Sequence, residues 1–307
     1  MNDVTAVHQA LIYSGRDDYS EVVAAFVREG LEAGERTMLM APPARLSWVR
    51  EAMGPDAGEV VFADSTGAYG IQSHATRAML QYLGQDRRPS RVVAEQDLAG
   101  RWPFEIRDYT RMEAAANVVY RSFPARILCP YDATALDDEV LAWCRQTHPE
   151  LIDARGCRES PEFRDPRSFV ASSTSVVQPP PSAASMGFAT LAEVSAARRF
   201  VGERLRRARM DPPTAGDITV AAVEILTNAL LHGRAPRSVH LYEDAGMLVV
   251  HVRDSGTGLA DPLAGFFPPS SDITHGRGLW MARQLCNTVE VANDHTGTHV
   301  RLLARLP

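Results

Sequence analysis

The stretch Glu224-Ile-Leu-Thr-Asn-Ala-Leu-Leu-His-Gly233 decides how the second half of the chain is interpreted. Its apolar residues recur at helical spacing, so it predicts an amphipathic helix that buries one face. Glu224, Asn228 and His232 fall at i, i+4 and i+8 and therefore share one row along that helix. A carboxylate, an amide and an imidazole in one row indicate a binding surface.

Two polar motifs follow this helix in the sequence. Asp254-Ser-Gly-Thr-Gly258 comes directly after a strand pattern, and Gly276-Arg-Gly-Leu279 opens a helical pattern. Glycines allow a backbone to approach a ligand closely, and a helix start offers free N–H groups to phosphate. The two motifs indicate that the polar row of the helix is part of a binding site.

Periodicity around these motifs predicts an α+β domain, with helices on one face of a mixed, largely antiparallel sheet. Asp211-Pro-Pro213 ends the first helix, Thr214 is the expected N-cap of the second, and Gly233 its C-terminal glycine. The predicted helices are Leu191–Arg209, the helix that carries Glu224 to His232, and Gly278–Cys286; the predicted strands are Ser238–Glu243, Met247–Arg253, Thr288–Ala292 and Thr298–Arg305.

The first half alternates short apolar runs with amphipathic helices, which predicts a doubly wound α/β domain with a mostly parallel sheet. Its predicted strands are Ala10–Tyr13, Thr37–Ala41, Val60–Ala63, Val92–Glu95 and Arg126–Cys129. Its predicted helices are Tyr19–Ala33, Ala44–Met53, Gln72–Leu83, Phe104–Ser122 and Leu136–Thr147. Between the halves, residues 169–188 are rich in Ser and Pro and predict a linker, so that the domains are 1–168 and 189–307.

Composition excludes several classes of protein. The net charge is −6, so no direct nucleic-acid partner is expected. The chain contains no lysine, which excludes a Walker-type phosphate loop, a eukaryotic-type protein kinase and Schiff-base chemistry. No signal peptide or membrane span is recognisable, so we expect a cytoplasmic protein. The four cysteines show no CxxC pair; reduced thiols are expected, and a zinc site from Cys144, His148 and Cys157 is the alternative.

The order of the polar helix, the Asp-x-Gly-x-Gly motif, the Gly-x-Gly-Leu motif and a late Gly-Thr resembles the Bergerat ATP-binding fold of the GHKL superfamily, and within it the anti-sigma-factor serine kinases. The resemblance covers roughly residues 191–307. It implies that Asp254 binds the adenine amino group, that Asn228 holds Mg²⁺, and that Glu224 is the catalytic base. The ATP-binding residues that it implies are Asn228, Asp254, Gly256, Gly258, Gly276, Arg277, Gly278, Leu279 and Thr298.

The first half resembles the MEDS sensory domain, a RecA-like α/β module, over about residues 7–166. Gly34-Glu35, Glu95, Tyr109 with Glu113 and Asn117, Tyr131-Asp132 and His148-Pro149 carry this resemblance. It implies a small organic ligand for this domain. The residues expected to line its sensory pocket are Glu95, Tyr109, Glu113, Tyr131 and Asp132; solvated or structurally paired carboxylates are the alternative for the acidic ones.

Three functions remain open from the sequence. The first is an ATP- and Mg²⁺-dependent protein serine/threonine kinase that also acts as an anti-sigma factor, with a sigma factor and an antagonist protein as partners and with homodimers as an implied assembly. The second is a histidine kinase, which needs a phosphoacceptor histidine before the ATP domain; none occurs between His148 and His232. The third is a non-catalytic, nucleotide-dependent scaffold, which would not need the base Glu224.

Overall fold

The protein was analysed as a computed structural model that describes residues 6–66, 71–86, 88–268 and 277–307. The chain divides into two compact units, whose main sequence boundary lies between Phe169 and Val170. Two units of this kind agree with the two-domain architecture predicted from the sequence.

The first unit contains a seven-stranded sheet in the order β3-β2-β4-β5-β1-β6-β7. The strands are β1 (Val7–Tyr13), β2 (Arg36–Ala41), β3 (Val61–Asp64), β4 (Ser90–Ala94), β5 (Ala125–Asp132), β6 (Glu150–Asp153) and β7 (Gly156–Glu159). Neighbouring strands are parallel except for β6 and β7, which pair antiparallel. Parallel strands are joined by long crossover connections, which are usually helices. The alternation of apolar runs and amphipathic helices in the sequence predicted such connections.

Helices cover both faces of this sheet. They are α1 (Arg16–Glu32), α2 (Pro43–Met53), α3 (Gln72–Leu83), α4 (Pro103–Val119) and α5 (Asp138–Thr147). Successive residues of one strand point to opposite faces, so Leu11 packs in the core with α1 and α2, whereas Ala10 packs in the core with α3, α4 and α5. The predicted doubly wound architecture is therefore observed.

Four short elements in or beside the first unit were not predicted. The strand β7 is exposed and polar, and β6 has only Leu151 buried among its four residues, so neither carries an apolar pattern long enough to identify a strand. A 3-10 helix covers Gly54–Glu59, and α6 covers Pro166–Ser172. These elements are too short or too polar for periodicity to detect.

The second unit contains three long helices and a five-stranded sheet. The helices are α7 (Leu191–Arg207), α8 (Pro212–His232) and α9 (Arg277–Leu285). The sheet has the order β11-β12-β10-β9-β8, with β8 (Ala184–Gly187), β9 (Ser238–Asp244), β10 (Met247–Asp254), β11 (Thr288–Asp294) and β12 (Gly297–Arg305). All four neighbouring pairs are antiparallel, so the expectation of a mixed sheet in this domain is wrong.

One core joins the helices to one face of this sheet. Leu248, Val250 and Val252 alternate along β10 and pack with Ile225, Leu226 and other buried residues of the helices. The edge strand β8 lies inside the stretch predicted to be a linker, where it pairs with β9. Its sequence, Ala-Ser-Met-Gly, carries too little apolar character to signal a strand.

The helix that carries the polar row, α8, begins earlier in the sequence than expected. Asp211, not Thr214, is its N-cap, and the Asp211 side chain accepts a hydrogen bond from the Thr214 N–H at 3.1 Å. The prolines at 212 and 213 sit in the first turn, where no N–H is needed. Gly233 is the C-cap of the helix, as predicted, and its φ of −82° is not left-handed.

Of the helices in the described residues, α8 alone is long and apolar enough to cross a membrane. Asp217 and Glu224 interrupt its apolar residues. Buried residues of α8 such as Ile218 and Ile225 belong to the core of the second unit. A core helix of this kind meets the same criteria of length and composition.

Candidate functional site

The polar row of α8 lies on the half-buried side of the helix. Glu224 and Asn228 are each partly buried, and His232 is exposed at the last turn. Ile225 and Ala229, next to them in the sequence, are buried in the core. The helix is therefore fixed by its apolar face while its carboxylate and amide remain accessible.

The start of α9 packs directly on this row. A Cβ placed on Gly278 would lie 2.8 Å from Asn228 Nδ2 and 3.0 Å from Glu224 Oε2. No larger residue fits between α9 and these two side chains without displacing them. The glycine of the Gly-x-Gly-Leu motif thus brings the N-terminal turn of α9 to the carboxylate and the amide of α8.

Asp254 is held in place by backbone groups at the end of β10. Its Oδ1 accepts a hydrogen bond from the Gly256 N–H at 2.6 Å and a longer one from the Arg234 N–H at 3.4 Å. A Cβ on Gly233 would lie 2.4 Å from Asp254 Cγ, and one on Gly256 would lie 2.6 Å from Oδ1. Both glycines therefore make room for this carboxylate.

A second strand places Thr298 beside Asp254. The two residues are paired across the antiparallel strands β10 and β12, and Thr298 is buried. Gly297, with a φ of +135°, precedes Thr298 and packs against the Asp254 backbone, since its Cβ would lie 1.9 Å from the Asp254 carbonyl oxygen. The Gly-Thr pair is thus held against the acid by the register of the sheet.

The loop after β10 turns at Gly258, which has a φ of +86°. A Cβ at this position would lie 2.3 Å from Asn293 Oδ1, at the end of β11. The close approach and the positive φ both require glycine here. Asn293 was not identified from the sequence, because a single asparagine at a strand end carries no distinguishing signal.

These residues surround a cavity of about 330 Å³. Six of the predicted site residues line it: Asn228, Asp254, Gly256, Gly258, Leu279 and Thr298. The remaining lining residues are Ile225, Ala229, His232, Gly233, Val252, Thr257, Leu259, Ala260, Ala264 and Val300. The cavity lies between α8, the loop after β10, and the paired ends of β10 and β12.

The other predicted residues of this site have different positions. Glu224 and Gly278 lie beside Asn228 but do not line the cavity. Arg277 is exposed at the start of α9. Gly276 lies outside the described residues.

Apolar walls of the cavity were missed by the sequence analysis. Val252 and Val300 face each other across β10 and β12, and Ile225 and Ala229 come from the core side of α8. In the sequence these residues are indistinguishable from the rest of the core. They make the cavity suitable for a flat, apolar group with a polar edge at Asp254.

The structure divides the predicted sensory residues of the first unit into two groups. Glu95 and Asp132 lie at the carboxyl ends of β4 and β5, where the Arg45 guanidinium joins them, 3.5 Å from Glu95 Oε1 and 2.9 Å from Asp132 Oδ2. Tyr13 donates a hydrogen bond to Glu95 Oε1 at 2.8 Å. Burial raises the pKa of Glu95 to about 7, against the opposing effects of Tyr13, Tyr19 and Arg45.

Tyr109, Glu113 and Tyr131 form the second group, on the side of the sheet covered by α4 and α5. The rings of Tyr109 and Tyr131 lie 6.3 Å apart, and both side chains are buried. Glu113 Oε2 lies 3.1 Å from His148 Nε2. A single pocket formed by all five predicted residues is therefore not present among the described residues.

The zinc site considered from the sequence does not form. Cys157 is exposed on β7, and its thiol contacts Glu150 Oε2 and Gln9 Nε2. His148 instead accompanies His8, Glu113 and Cys129 in a buried cluster. All four cysteines are free thiols, as expected.

Comparison with known proteins identifies a family for each half of the chain. Residues 7–149 match the family described as MEDS, the MEthanogen/methylotroph, DcmR Sensory domain. Residues 188–303 match the histidine kinase-like ATPase domain family. The predicted fusion of an MEDS domain to a GHKL-like ATPase domain is thereby confirmed; the narrower resemblance to anti-sigma-factor serine kinases stays a prediction. No curated protein matches the chain significantly.

Two solved structures show distant similarity. One contains the RsbU and RsbW domains of Rv1364c from Mycobacterium tuberculosis, at 20% identity and a TM-score of 0.30, covering 40% of this chain and 32% of that chain. The other is the Acinetobacter baumannii histidine kinase AdeS, at 14% identity and a TM-score of 0.25, covering 45% of this chain and 73% of that chain. The similarity thus extends over about a third of the length of the first structure.

Proposed function

The chain joins an MEDS domain to a histidine kinase-like ATPase domain, and from this premise we propose that it is an ATP-binding signalling regulator with protein serine/threonine kinase activity. In this proposal the second unit binds ATP and phosphorylates an antagonist protein. It also binds a sigma factor, and it exchanges one partner for the other under control of the MEDS domain.

The cavity beside Asp254 is the observation that carries ATP binding. Its apolar walls fit the faces of an adenine ring, and a carboxylate suits the exocyclic amine at the ring edge. Asp254 Oδ1 is engaged by the Gly256 N–H, which leaves the other carboxylate oxygen to accept the amine. Thr298, paired with Asp254 across the strands, is the second polar group at this end.

The α9 end of the site fits the phosphates and the metal ion. The first turn of α9 presents backbone N–H groups and the positive end of the helix dipole, and Arg277 adds a cationic side chain there. Asn228 offers an amide oxygen, a ligand type that Mg²⁺ accepts alongside phosphate oxygens and waters. Bound Mg²⁺ would neutralise charge on the transferred phosphoryl group.

Glu224 is the proposed catalytic base. It lies one helical turn from Asn228 and against Gly278, so it borders the phosphate end of the site and not the adenine end. A carboxylate at this position orients or deprotonates a serine or threonine hydroxyl that attacks the γ-phosphate. A scaffold that only bound nucleotide would not need this carboxylate.

The remaining features of the proposal concern setting and partners. We place the protein in the cytoplasm, with a small organic molecule as the signal received by the MEDS domain. The net charge of −6 supports protein partners over nucleic acid. A homodimer is the assembly that the kinase resemblance implies.

A phosphotransfer assay tests this function. The full chain is incubated with γ-labelled ATP, Mg²⁺ and a STAS-type antagonist domain encoded in the same genome, and the label is then exposed to acid. We expect acid-stable phosphate on the antagonist, as for phosphoserine or phosphothreonine. Acid-labile phosphate on the chain itself would identify a histidine kinase, and ATP binding without transfer to any candidate antagonist would identify a scaffold.

A further inference from the structure

Four side chains with metal-binding atoms converge in the first unit, away from the ATP site. His8 lies on β1, Glu113 on α4, Cys129 on β5, and His148 directly after α5. One ligand atom from each lies within 4.8 Å of all the others. His8, Cys129 and His148 are 4% exposed or less, and the Glu113 side chain is 13% exposed.

We propose that His8, Glu113, Cys129 and His148 form a binding site for one divalent transition-metal ion of the zinc type. Two imidazole nitrogens, a thiolate and a carboxylate are a ligand set that Zn²⁺ and Co²⁺ both accept. The site lies in the MEDS domain, and the proposal does not depend on the kinase function.

Three distances between the ligand atoms are close to those of a tetrahedral site, and all four atoms lie within 4.8 Å of one another. Metal–ligand bonds of about 2.0 to 2.3 Å in a tetrahedron place neighbouring ligand atoms roughly 3.3 to 3.6 Å apart. His8 Nε2 lies 3.3 Å from Cys129 Sγ and 3.3 Å from Glu113 Oε2. His148 Nε2 lies 3.1 Å from the same carboxylate oxygen. The side chains therefore need only small movements to surround an ion.

Hydrogen bonds at the far side of each imidazole orient both histidines for coordination. The Asn117 amide donates to the Thr147 carbonyl at 2.8 Å, which turns its oxygen towards His8 Nδ1, 3.3 Å away. His148 Nδ1 lies 2.9 Å from the Cys144 carbonyl oxygen. Both Nδ1 atoms thus carry the proton, and both Nε2 atoms present lone pairs towards the cluster. Protein metal sites commonly fix their histidines in this way.

Charge balance also favours a divalent ion. A metal binds the thiolate form of cysteine and the carboxylate form of glutamate, so these two ligands supply two negative charges. A divalent cation makes the buried group neutral overall, and burial of a neutral assembly avoids the cost of burying unpaired charge. Without a cation, the Nε2 lone pairs of His8 and His148 would both face the Glu113 carboxylate oxygen, unless a proton lay between each nitrogen and that oxygen.

The four ligands come from separate elements, and all of them except Glu113 are buried. A closed site with four protein ligands is typical of structural metal ions, whereas catalytic ions keep an open position. Here the ion would connect β1, β5, α4 and the end of α5. Metal loading therefore stabilises the first unit, and its loss loosens the contact between α4 and the sheet.

Metal binding is measured on the untagged full chain after treatment with a chelator and gel filtration. Co²⁺ is titrated in, and the absorption is followed in the visible region and in the near-ultraviolet, where a thiolate–Co²⁺ bond absorbs. The wild-type chain should bind one equivalent with a thiolate band, and Zn²⁺ should displace it. Elemental analysis of the Zn²⁺-loaded chain should give one zinc per chain.

Matched cysteine variants locate the ion. Cys129→Ala should abolish the thiolate band and weaken binding by about 100-fold or more, whereas Cys286→Ala, which removes another buried thiol, should bind as the wild type does. Asn117→Ala removes the acceptor behind His8 and should weaken binding about 10- to 100-fold. This second variant remains informative if Cys129→Ala fails to fold.

Two results would overturn the proposal. A folded wild-type chain that takes up no stoichiometric Co²⁺ or Zn²⁺ would show that the cluster is a hydrogen-bonded group with shared protons. An unchanged thiolate band in Cys129→Ala would place the metal elsewhere.

Discussion

Gly278 is in direct contact with Asn228, because a Cβ at position 278 would lie only 2.8 Å from Asn228 Nδ2. The same added Cβ would lie 3.0 Å from Glu224 Oε2. The glycine is therefore the means by which the proposed phosphate-binding turn reaches the proposed metal ligand and base.

Gly278→Ala tests this contact. The added methyl group must displace Asn228, Glu224 or the start of α9, so we expect Mg²⁺-dependent ATP affinity to fall about 10-fold, which corresponds to about 1.4 kcal/mol. Binding is measured by calorimetry at fixed Mg²⁺. Gly202→Ala, in α7 where a Cβ would meet no atom within 4 Å, is the control and should leave affinity unchanged. Equal ATP affinity of Gly278→Ala and Gly202→Ala would show that Gly278 is not part of the ATP site.

Asp254→Asn tests the adenine contact. The amide oxygen can still accept the Gly256 N–H, so the amide NH₂ would face the adenine amine, and two donors would oppose each other. We expect ATP affinity about 10- to 100-fold lower, as measured by displacement of a fluorescent nucleotide. Glu243→Gln, at an exposed position of β9, loses the same charge and should bind like the wild type. A loss of equal size in Glu243→Gln would mean that net charge, and not Asp254, governs affinity.

Glu224→Gln tests the proposed base. Glutamine keeps the volume beside Gly278 but accepts no proton, so ATP affinity should stay close to that of the wild type. The rate of phosphotransfer should fall about 10²- to 10⁴-fold. Single-turnover transfer to the antagonist measures this rate. Transfer at the parental rate would show that another group activates the hydroxyl.

Glu95→Gln tests the buried carboxyl group in the first unit. Its pKa is raised to about 7 because of burial, whereas an unfolded glutamate titrates near about 4.3. The folded state therefore binds this proton more tightly, and the stability that it contributes is complete below the unfolded pKa and is lost as pH rises through about 7. The loss is on the order of 3 kcal/mol between the two pKa values.

The measurement is denaturant unfolding from pH 4 to 8. In the wild type, the unfolding free energy should decrease as the pH rises through this range. In Glu95→Gln, the unfolding free energy should depend less on pH. The groups that face Glu95 are Tyr13, Tyr19, Arg45 and Asp132. Glu59→Gln, at an exposed position, should keep the wild-type slope; if Glu95→Gln also keeps it, Glu95 does not titrate in this range.

Periodicity predicted the main helices and strands of both units, and i, i+4 spacing correctly grouped Glu224 with Asn228. Pairing of Asp254 with Thr298 depends on the register of β10 and β12, which local sequence does not specify. The strand β8 was missed because its residues are small and half-exposed. His8 was missed because its partners lie between 105 and 140 residues away along the chain. They meet only where the fold brings β1, α4, β5 and the end of α5 together.

The measurement that tests the central claim most directly is a calorimetric titration of the folded, full-length chain with ATP in the presence of Mg²⁺. We predict saturable binding of one ATP per chain, with weaker binding when Mg²⁺ is removed and much weaker binding in Asp254→Asn. No heat of binding from a wild-type chain that is folded by circular dichroism would contradict the account, as would equal affinity of the wild type and Asp254→Asn.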